Sequence, residues 1–338
     1  MPRAFVTGLK GTMLSPDERA FVADAAPWGL ILFRRNVEDP GQLRRLTGDF
    51  RDAAGWHAPV LIDQEGGRVQ RLTAPHWRKY PSGRRLAGAA AMAGDPTLIT
   101  DIAHLIGDDL AAVGIDVDCA PCLDVATADM TPAIGDRSYG ERPDLVAAAG
   151  RAFAEGLIAA GVLPVIKHLP GHGRARVDSH HELPVVGASL DTLAATDFRP
   201  FELLNDLPAA MTAHLVYTAI DPERPATQSP AVISEIIRGR IGFDGLLFSD
   251  DLSMNALKGS IAERARATLA AGCDIALHCS GDMAEMVAVA AEAPELTGKA
   301  AVRAELALKR PAASPHDDPQ GVLARLDAAL AIHDAAGV

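Results

Sequence analysis

No run of apolar residues in this chain approaches the ~18–20 that a helix needs to cross a bilayer. The opening Met1-Pro-Arg-Ala-Phe-Val-Thr-Gly8 has no apolar stretch followed by small residues, so no secretory signal is read there. Positive charge is also in short supply. Against 44 Asp and Glu stand 32 Lys and Arg, a formal net charge of −12. Sequence-independent binding to nucleic acid or to an anionic membrane needs clustered cations, and this balance argues against both. A soluble, cytoplasmic protein is expected, with a monomer as the default state.

Cysteine is scarce, four residues in all: Cys119, Cys122, Cys273 and Cys279. Cys119-Ala-Pro-Cys122 has the spacing of a redox or zinc pair. Yet it lies inside an apolar strand pattern, and Cys273 and Cys279 flank a different strand at a spacing unlike a zinc knuckle. Buried, reduced, structural thiols are the reading. Also missing are a G-x-G-x-x-G after the first strand and a P-loop. Gly171-His-Gly173 lacks the third glycine and opens a long loop, so it is no dinucleotide turn. No cofactor is expected.

What is present is a repeated alternation. At 338 residues, 48% hydrophobic and 22% charged, the chain can bury a large core. Short apolar runs fall at Ala4–Thr7, Leu30–Phe33, Val60–Ile62, Ile115–Cys119, Val162–Ile166, Ala209–Thr212, Leu246–Phe248 and Ile275–His278. Between them lie helical patterns with start signals, among them Ser15-Pro16, Asp39-Pro40, Asp95-Pro96, Pro143, Ser189, Ser229-Pro230, Ser260 and Asp282. Eight such units predict an α/β fold, a TIM-like (β/α)8 barrel rather than an open doubly wound sheet. Residues 1–338 read as one catalytic domain. Closing helices are expected from about 298, around Ala300–Leu308 and Gly321–Ile332, joined by a surface loop over Arg310–Pro319.

In such barrels the chemistry sits at strand C-termini. The richest end is Val165-Ile-Lys-His-Leu-Pro-Gly-His-Gly-Arg-Ala-Arg-Val-Asp-Ser-His180, where a buried strand is read as ending on Lys167 and His168. A Pro- and Gly-hinged loop then carries Asp178, Ser179, His180 and His181. The third strand ends on Asp63-Gln-Glu-Gly-Gly-Arg-Val-Gln-Arg71, the fourth toward Asp124, with Arg137 on its loop. The sixth gives His214, and the seventh ends Phe248-Ser-Asp-Asp-Leu-Ser-Met254. Carboxylates beside Arg, Lys and His at one mouth suit a neutral, polyhydroxylated ligand, because each hydroxyl can donate to an acid and accept from a cation. A phosphate ligand would call for more cations and fewer acids. Taken singly, Asp63 or Asp124 could equally pair with a barrel Arg.

These motifs resemble glycoside hydrolase family 3. Lys167-His-Leu-Pro-Gly-His-Gly173, Asp178-Ser-His180, Phe248-Ser-Asp-Asp-Leu-Ser-Met254, Ile62-Asp-Gln-Glu-Gly-Gly-Arg-Val-Gln-Arg71 and Gly135-Asp-Arg-Ser-Tyr139 match its signatures, in order, from about Phe5 to about Glu292. The similarity is to the single-domain bacterial β-N-acetylglucosaminidases of peptidoglycan recycling. It implies a TIM-like barrel and a retaining exo-glycosidase without metal, acting on N-acetylglucosamine linked to anhydro-N-acetylmuramic acid, with or without peptide. By motif position it implies Asp250 as nucleophile and His180 with Asp178 as the acid/base dyad. Asp63, Arg71, Arg137, Lys167 and His168 match the binders of the terminal sugar. Leu169 stands where an aromatic is common, and Arg174 and Arg176 occupy a variable loop.

A retaining glycosidase needs a nucleophile at one face of C1 and a proton donor to the leaving oxygen. Asp250, at a strand end, suits the first role if neighbouring Arg or Lys groups hold it ionised. Strand alternation points Asp251 the other way. An Asp–His pair can give a proton and take one back near neutral pH. A phosphorylase built on the same residues is the near rival, since an imidazole tolerates an approaching phosphate anion. A metal-dependent barrel hydrolase drawing on His168, His172, His180, Asp178 and Asp250 is the more distant one, and the first strand lacks its H-x-H.

Overall fold

The buried apolar runs become the staves of one closed sheet. A computed structural model describes residues 1–309 and 312–337. Its barrel strands are β1 (Arg3–Thr7), β2 (Pro27–Leu32), β3 (Val60–Ile62), β4 (Val117–Asp118), β5 (Leu163–Pro164, continuing as Ile166–Leu169), β6 (Ala209–Thr212), β7 (Leu246–Asp251) and β8 (Ile275–Leu277). All neighbours pair in parallel, and β1 joins β2 on one side and β8 on the other. The first part of β5 pairs with β4 and the second with β6, so the sheet closes on itself. This is the expected TIM-like α/β barrel.

Strand alternation sorts the side chains. Ala4, Val6, Trp28, Leu61, Val117, Leu163, Met211 and Phe248 form one cluster inside the barrel. Trp28 and Phe248 meet there edge to face with centroids 5.4 Å apart. Ile62, Ile166, Ala210 and Leu247 point outward into the layer shared with the helices. Because both faces are covered, the strands read as continuous apolar runs rather than as an alternation of polar and apolar.

Helix starts follow the sequence signals. Ser15 and Ser260 each close a capping box on Glu18 and Glu263, and Asp39 caps the helix Pro40–Ala54. The run after Ser189 breaks into Leu190–Ala195 and Arg199–Leu203, since Pro200 has no N–H for the carbonyl of Thr196. After Pro230 the helix Val232–Arg240 is wound wide, with Ile241 N bonding back to Ile236 O.

Helix Gly298–Leu308 contributes Ala304 and Ala307 to the interior cluster, beside the strand starts Ala4, Ala209 and Leu246. It closes the barrel at its N-terminal end. Helix Pro319–Ala335 packs Val322, Leu326 and Ala329 into the outer layer with Leu86 and Ala89 of Gly83–Ala93, a helix the sequence pattern did not reveal. Of the loop expected between the closing helices, Arg310 and Pro311 lie outside the described residues.

Candidate active site

Two strand ends differ from the sequence reading in a way that matters. β5 runs on through Leu169 and β7 through Asp251, past the apolar runs that end at Ile166 and Phe248, so Lys167, His168 and Asp250 lie within the strand ends. Above them, at the C-terminal ends of the strands, opens a cleft of about 280 Å³. All eight residues singled out from the sequence line it: Asp63, Arg71, Arg137, Lys167, His168, Asp178, His180 and Asp250.

One wall is a charged lattice. A hairpin, Gln64–Gly66 against Val69–Gln70, turns the chain back so that Arg71 Nη2 meets Asp63 Oδ2 at 2.7 Å. The turn needs glycine at Gly66, where φ is 92° and an added Cβ would sit 2.2 Å from Pro81 O. Lys167 Nζ donates to Asp63 Oδ1 at 2.9 Å and lies 2.6 Å from Glu65 Oε1. Arg137 forks onto Glu65, Nε at 2.8 Å and Nη2 at 2.7 Å.

Burial alone would raise both carboxyls. Lys167 and Arg71 outweigh it and hold Asp63 well below the usual range, while Arg137 and Lys167 bring Glu65 down to about 2. Burial disfavours the Lys167 ammonium in turn, but Asp63 and Glu65 raise its pKa above the ordinary value. The wall is fully ionised at neutral pH.

Behind it lies a second Asp–His pair. Asp124 accepts from His168 Nδ1 at 2.7 Å, from His168 N at 3.2 Å and from His172 N at 2.6 Å. Burial raises its carboxyl, yet His168 and His172 hold it low. His168 Nε2 then lies 3.3 Å from Arg137 Nη2.

The cleft also carries Asp178 and His180. His180 Nδ1 is 2.7 Å from Asp178 Oδ1, which also accepts His180 N at 2.9 Å. The pair is solvent-accessible, with the imidazole side chain 64% exposed. The loop reaches this position by passing very close to the backbone after β4. A Cβ on Gly173 would lie 1.8 Å from Val125 O.

Asp250 is half-buried, and its Oδ1 accepts Asp251 N at 2.8 Å. Burial raises its carboxyl, but His214 and then His168 lead the groups that lower it, and the net shift is downward. Imidazoles thus stand first where Arg or Lys was expected, with Lys167 a smaller contributor. His214 is held rigidly, Nδ1 at 2.8 Å from Thr227 Oγ1 and Nε2 at 2.9 Å from Asp251 O. Asp251 also borders the cleft, but its Oδ1 accepts Ser253 N and Cys279 N, at 3.0 and 3.1 Å. Its carboxylate ties β7 to β8.

Three participants take roles that the sequence reading did not assign. Glu65, part of the third strand-end motif, is held by Arg137 and Lys167. Its spacing from Asp63, two residues along one strand line, was the available signal. Asp124 and His172 are joined through a backbone bond that no motif displays. The metal-ligand set weighed from sequence does not assemble. Among the described residues the cluster with ligand spacing is Cys122, Asp124 and His168, all buried. Cys122 Sγ donates to Asp124 Oδ2 at 3.2 Å there. All four cysteines are free and buried.

Residues 7–306 match the model of the glycosyl hydrolase family 3 N-terminal domain. The chain belongs to glycosyl hydrolase family 3. It is a glycoside hydrolase, and its relatives agree. It is 42% identical over 278 residues to a beta-hexosaminidase of Methylococcus capsulatus, covering 80% of this chain and 81% of that one. A beta-hexosaminidase of Alkalilimnicola ehrlichii is 40% identical over 281 residues, 81% and 79% of the two chains. Among solved structures, NagZ from Neisseria gonorrhoeae in complex with N-trifluoroacetyl-D-glucosamine superposes with a TM-score of 0.86 at 31% identity. The match spans 98% of this family 3 chain and 99% of the other.

Proposed function

We propose that the protein is a retaining exo-β-N-acetylglucosaminidase that releases terminal, non-reducing N-acetylglucosamine from peptidoglycan-derived anhydro-muropeptides. The observation that carries the reading is one cleft holding a half-buried Asp250 whose carboxyl is held low, a solvent-facing Asp178–His180 pair and an ionised wall around Lys167. The beta-hexosaminidase and NagZ relatives point to the same sugar.

In the first step Asp250 attacks C1 as the bond to the leaving oxygen breaks, and His180 gives that oxygen its Nε2 proton. Nδ1 stays on Asp178, which fixes the tautomer and strengthens the base. In the second step His180 takes a proton from water as the water oxygen attacks C1 and Asp250 leaves. Asp63, Arg71, Arg137, Lys167 and His168 grip the ring hydroxyls. The cleft, about 280 Å³, has the scale of one sugar ring, which supports cleavage from a chain end. It is complete within one chain, consistent with a monomer, and four free buried thiols suit a reducing cytoplasm. No described helix is long and apolar enough to cross a membrane.

The deciding experiment compares aryl β-N-acetylglucosaminide with the matching β-glucoside, then GlcNAc-anhydroMurNAc with and without inorganic phosphate. Strong preference for the acetamido sugar, a β-configured first product and no phosphate requirement are expected. Equal rates on the two aryl sugars overturn the substrate. A sugar 1-phosphate product overturns hydrolysis.

A further inference from the structure

Most of the loop that carries Asp178 and His180 is tied down near its start. Tyr217 OH donates to Gly171 O, Thr127 Oγ1 donates to Gly173 O at 2.9 Å, and Thr131 N donates to Ala175 O at 2.7 Å. Arg174 Nε reaches the buried Asp197 at 2.6 Å. Farther along the ties thin out. Arg176 meets Asp129 at 2.9 Å, but both side chains are exposed, and such a pair holds little.

Asp178 and His180 bond each other and the backbone turn they sit on. Between them lies Ser179, only 5% exposed and the one buried residue from Arg176 to Glu182. Its Oγ lies 3.4 Å from His172 Nε2, and its carbonyl accepts Ala256 N at 3.2 Å from the loop that follows Asp250.

His172 is a fixed post for that contact. It is 2% exposed. Its backbone N–H bonds Asp124, and its ring packs edge-on to His168 with centroids 5.6 Å apart. Burial pushes its pKa down to about 4, so it stays neutral while the enzyme works near pH 7. A neutral imidazole keeps one N–H and one lone pair, and either can serve the Ser179 hydroxyl.

We propose that His172 and Ser179 are positioning residues for His180. Ser179 pins the dyad to the sugar-binding wall, and His172 is the post that receives the pin. The dyad residues flank Ser179 directly, so releasing its side chain shifts both. Among the described residues neither makes a hydrogen bond or ion pair outside the turn 178–182. An imidazole displaced by ~1 Å from the leaving oxygen can lose ~10²-fold. The sugar wall keeps its own bonds, so binding stays intact.

This inference rests on His180 being the acid/base, and the test separates the two. Ser179→Ala, His172→Phe, His172→Gln, His180→Ala and the double variant Ser179→Ala/His180→Ala are assayed on an aryl glycoside with an activated leaving group and on a disaccharide. Ser179→Ala and His172→Phe should lose ~10–10²-fold in kcat/KM on the disaccharide and much less on the aryl glycoside. His172→Gln, whose amide nitrogen reaches the Nε2 position, should recover most of the loss. Adding Ser179→Ala to His180→Ala should cost nothing further, because the pin acts only through His180. Equal losses on both substrates, or losses that multiply in the double variant, overturn the inference while leaving His180 in place. Absence of leaving-group dependence in His180→Ala brings down the acid/base assignment and the inference with it. Ser179→Ala removes one oxygen, so it keeps the test open if His172→Phe fails to fold.

Discussion

Arg137 grips the Glu65 carboxylate through two nitrogens, Nε at 2.8 Å and Nη2 at 2.7 Å, across 72 residues of sequence. The fork fastens the loop after β4 to the hairpin after β3. Lys167 adds a third bond to the same carboxylate and also holds Asp63. Three cations, Arg71, Lys167 and Arg137, thus face two carboxylates, and a neutral hydroxylated ring finds donors and acceptors already fixed in place.

Breaking that lattice should therefore be costly twice over. Glu65→Gln leaves Arg137 and Lys167 buried with one carboxylate fewer, and a loss of about 3–5 kcal/mol in unfolding free energy is expected. Arg137→Lys keeps the charge but loses the planar fork, so it should raise KM while retaining more stability than Glu65→Gln. Urea titrations and Michaelis–Menten curves on the two variants check both. Unchanged midpoints and an unchanged KM would show that the fork does nothing for the site.

Asp250 carries the nucleophile assignment because it is half-buried, has its carboxyl shifted below the ordinary value, and is free of ion pairs among the described residues. Asp250→Asn should abolish turnover with the fold unchanged by circular dichroism. A 2-fluoro sugar with a good leaving group should label it covalently, since the fluorine slows breakdown of the glycosyl-enzyme. Peptide mass mapping that finds the label on Asp251 or Glu65 would refute the assignment. The structure weighs against both, since Asp251 is bonded to Ser253 and Cys279, and Glu65 to Arg137.

His180→Ala should lose ~10²–10⁴-fold on substrates with poor leaving groups and far less on the first step with an activated aryl group. Azide should restore turnover and give a β-glycosyl azide. Asp178→Ala should show a weaker version of the same pattern, because it orients and tunes the ring. Activity that survives in His180→Ala on natural disaccharides would return the acid/base role to a carboxylate.

The strand ends were legible because parallel barrel strands are buried on both faces, which leaves unbroken apolar runs followed by polar residues. That pattern gave Lys167, His168 and Asp250 their places. Helix Gly83–Ala93 was not legible. Its sequence is mostly Ala, Gly and Arg, and it buries mainly Leu86, Ala89 and Ala90 against a helix over 230 residues later. The Glu65 fork and the Asp124 bond to His172 were hidden for a similar reason. Each joins residues from different strand-end loops, and spacing along the chain says nothing about which loops meet. Nothing in the motif Asp178-Ser-His180 singles out Ser179, and only its burial sets it apart.

Asp118 gives a pH prediction of definite sign. Its Oδ1 accepts Gln64 N at 2.9 Å, while Oδ2 is buried with no partner among the described residues. Burial raises its pKa to about 8, the Gln64 N–H and Lys167 pull it back, and Asp63 and Glu65 push it up again. Unfolded, the same carboxyl titrates near ~3.9. Between these values the folded protein holds a proton that the unfolded chain has released, so stability falls as pH rises through this range. Asp118→Asn mimics the protonated form and cannot ionise. Its stability relative to the parent should therefore grow with pH between 5 and 8, by up to about 1.4 kcal/mol per pH unit. Above the folded pKa the difference should level off. Urea unfolding of both proteins at several pH values measures this directly. A difference that stays flat from pH 5 to 8 would mean that Asp118 is already ionised in the folded protein, with Lys167 shared among three carboxylates instead of two.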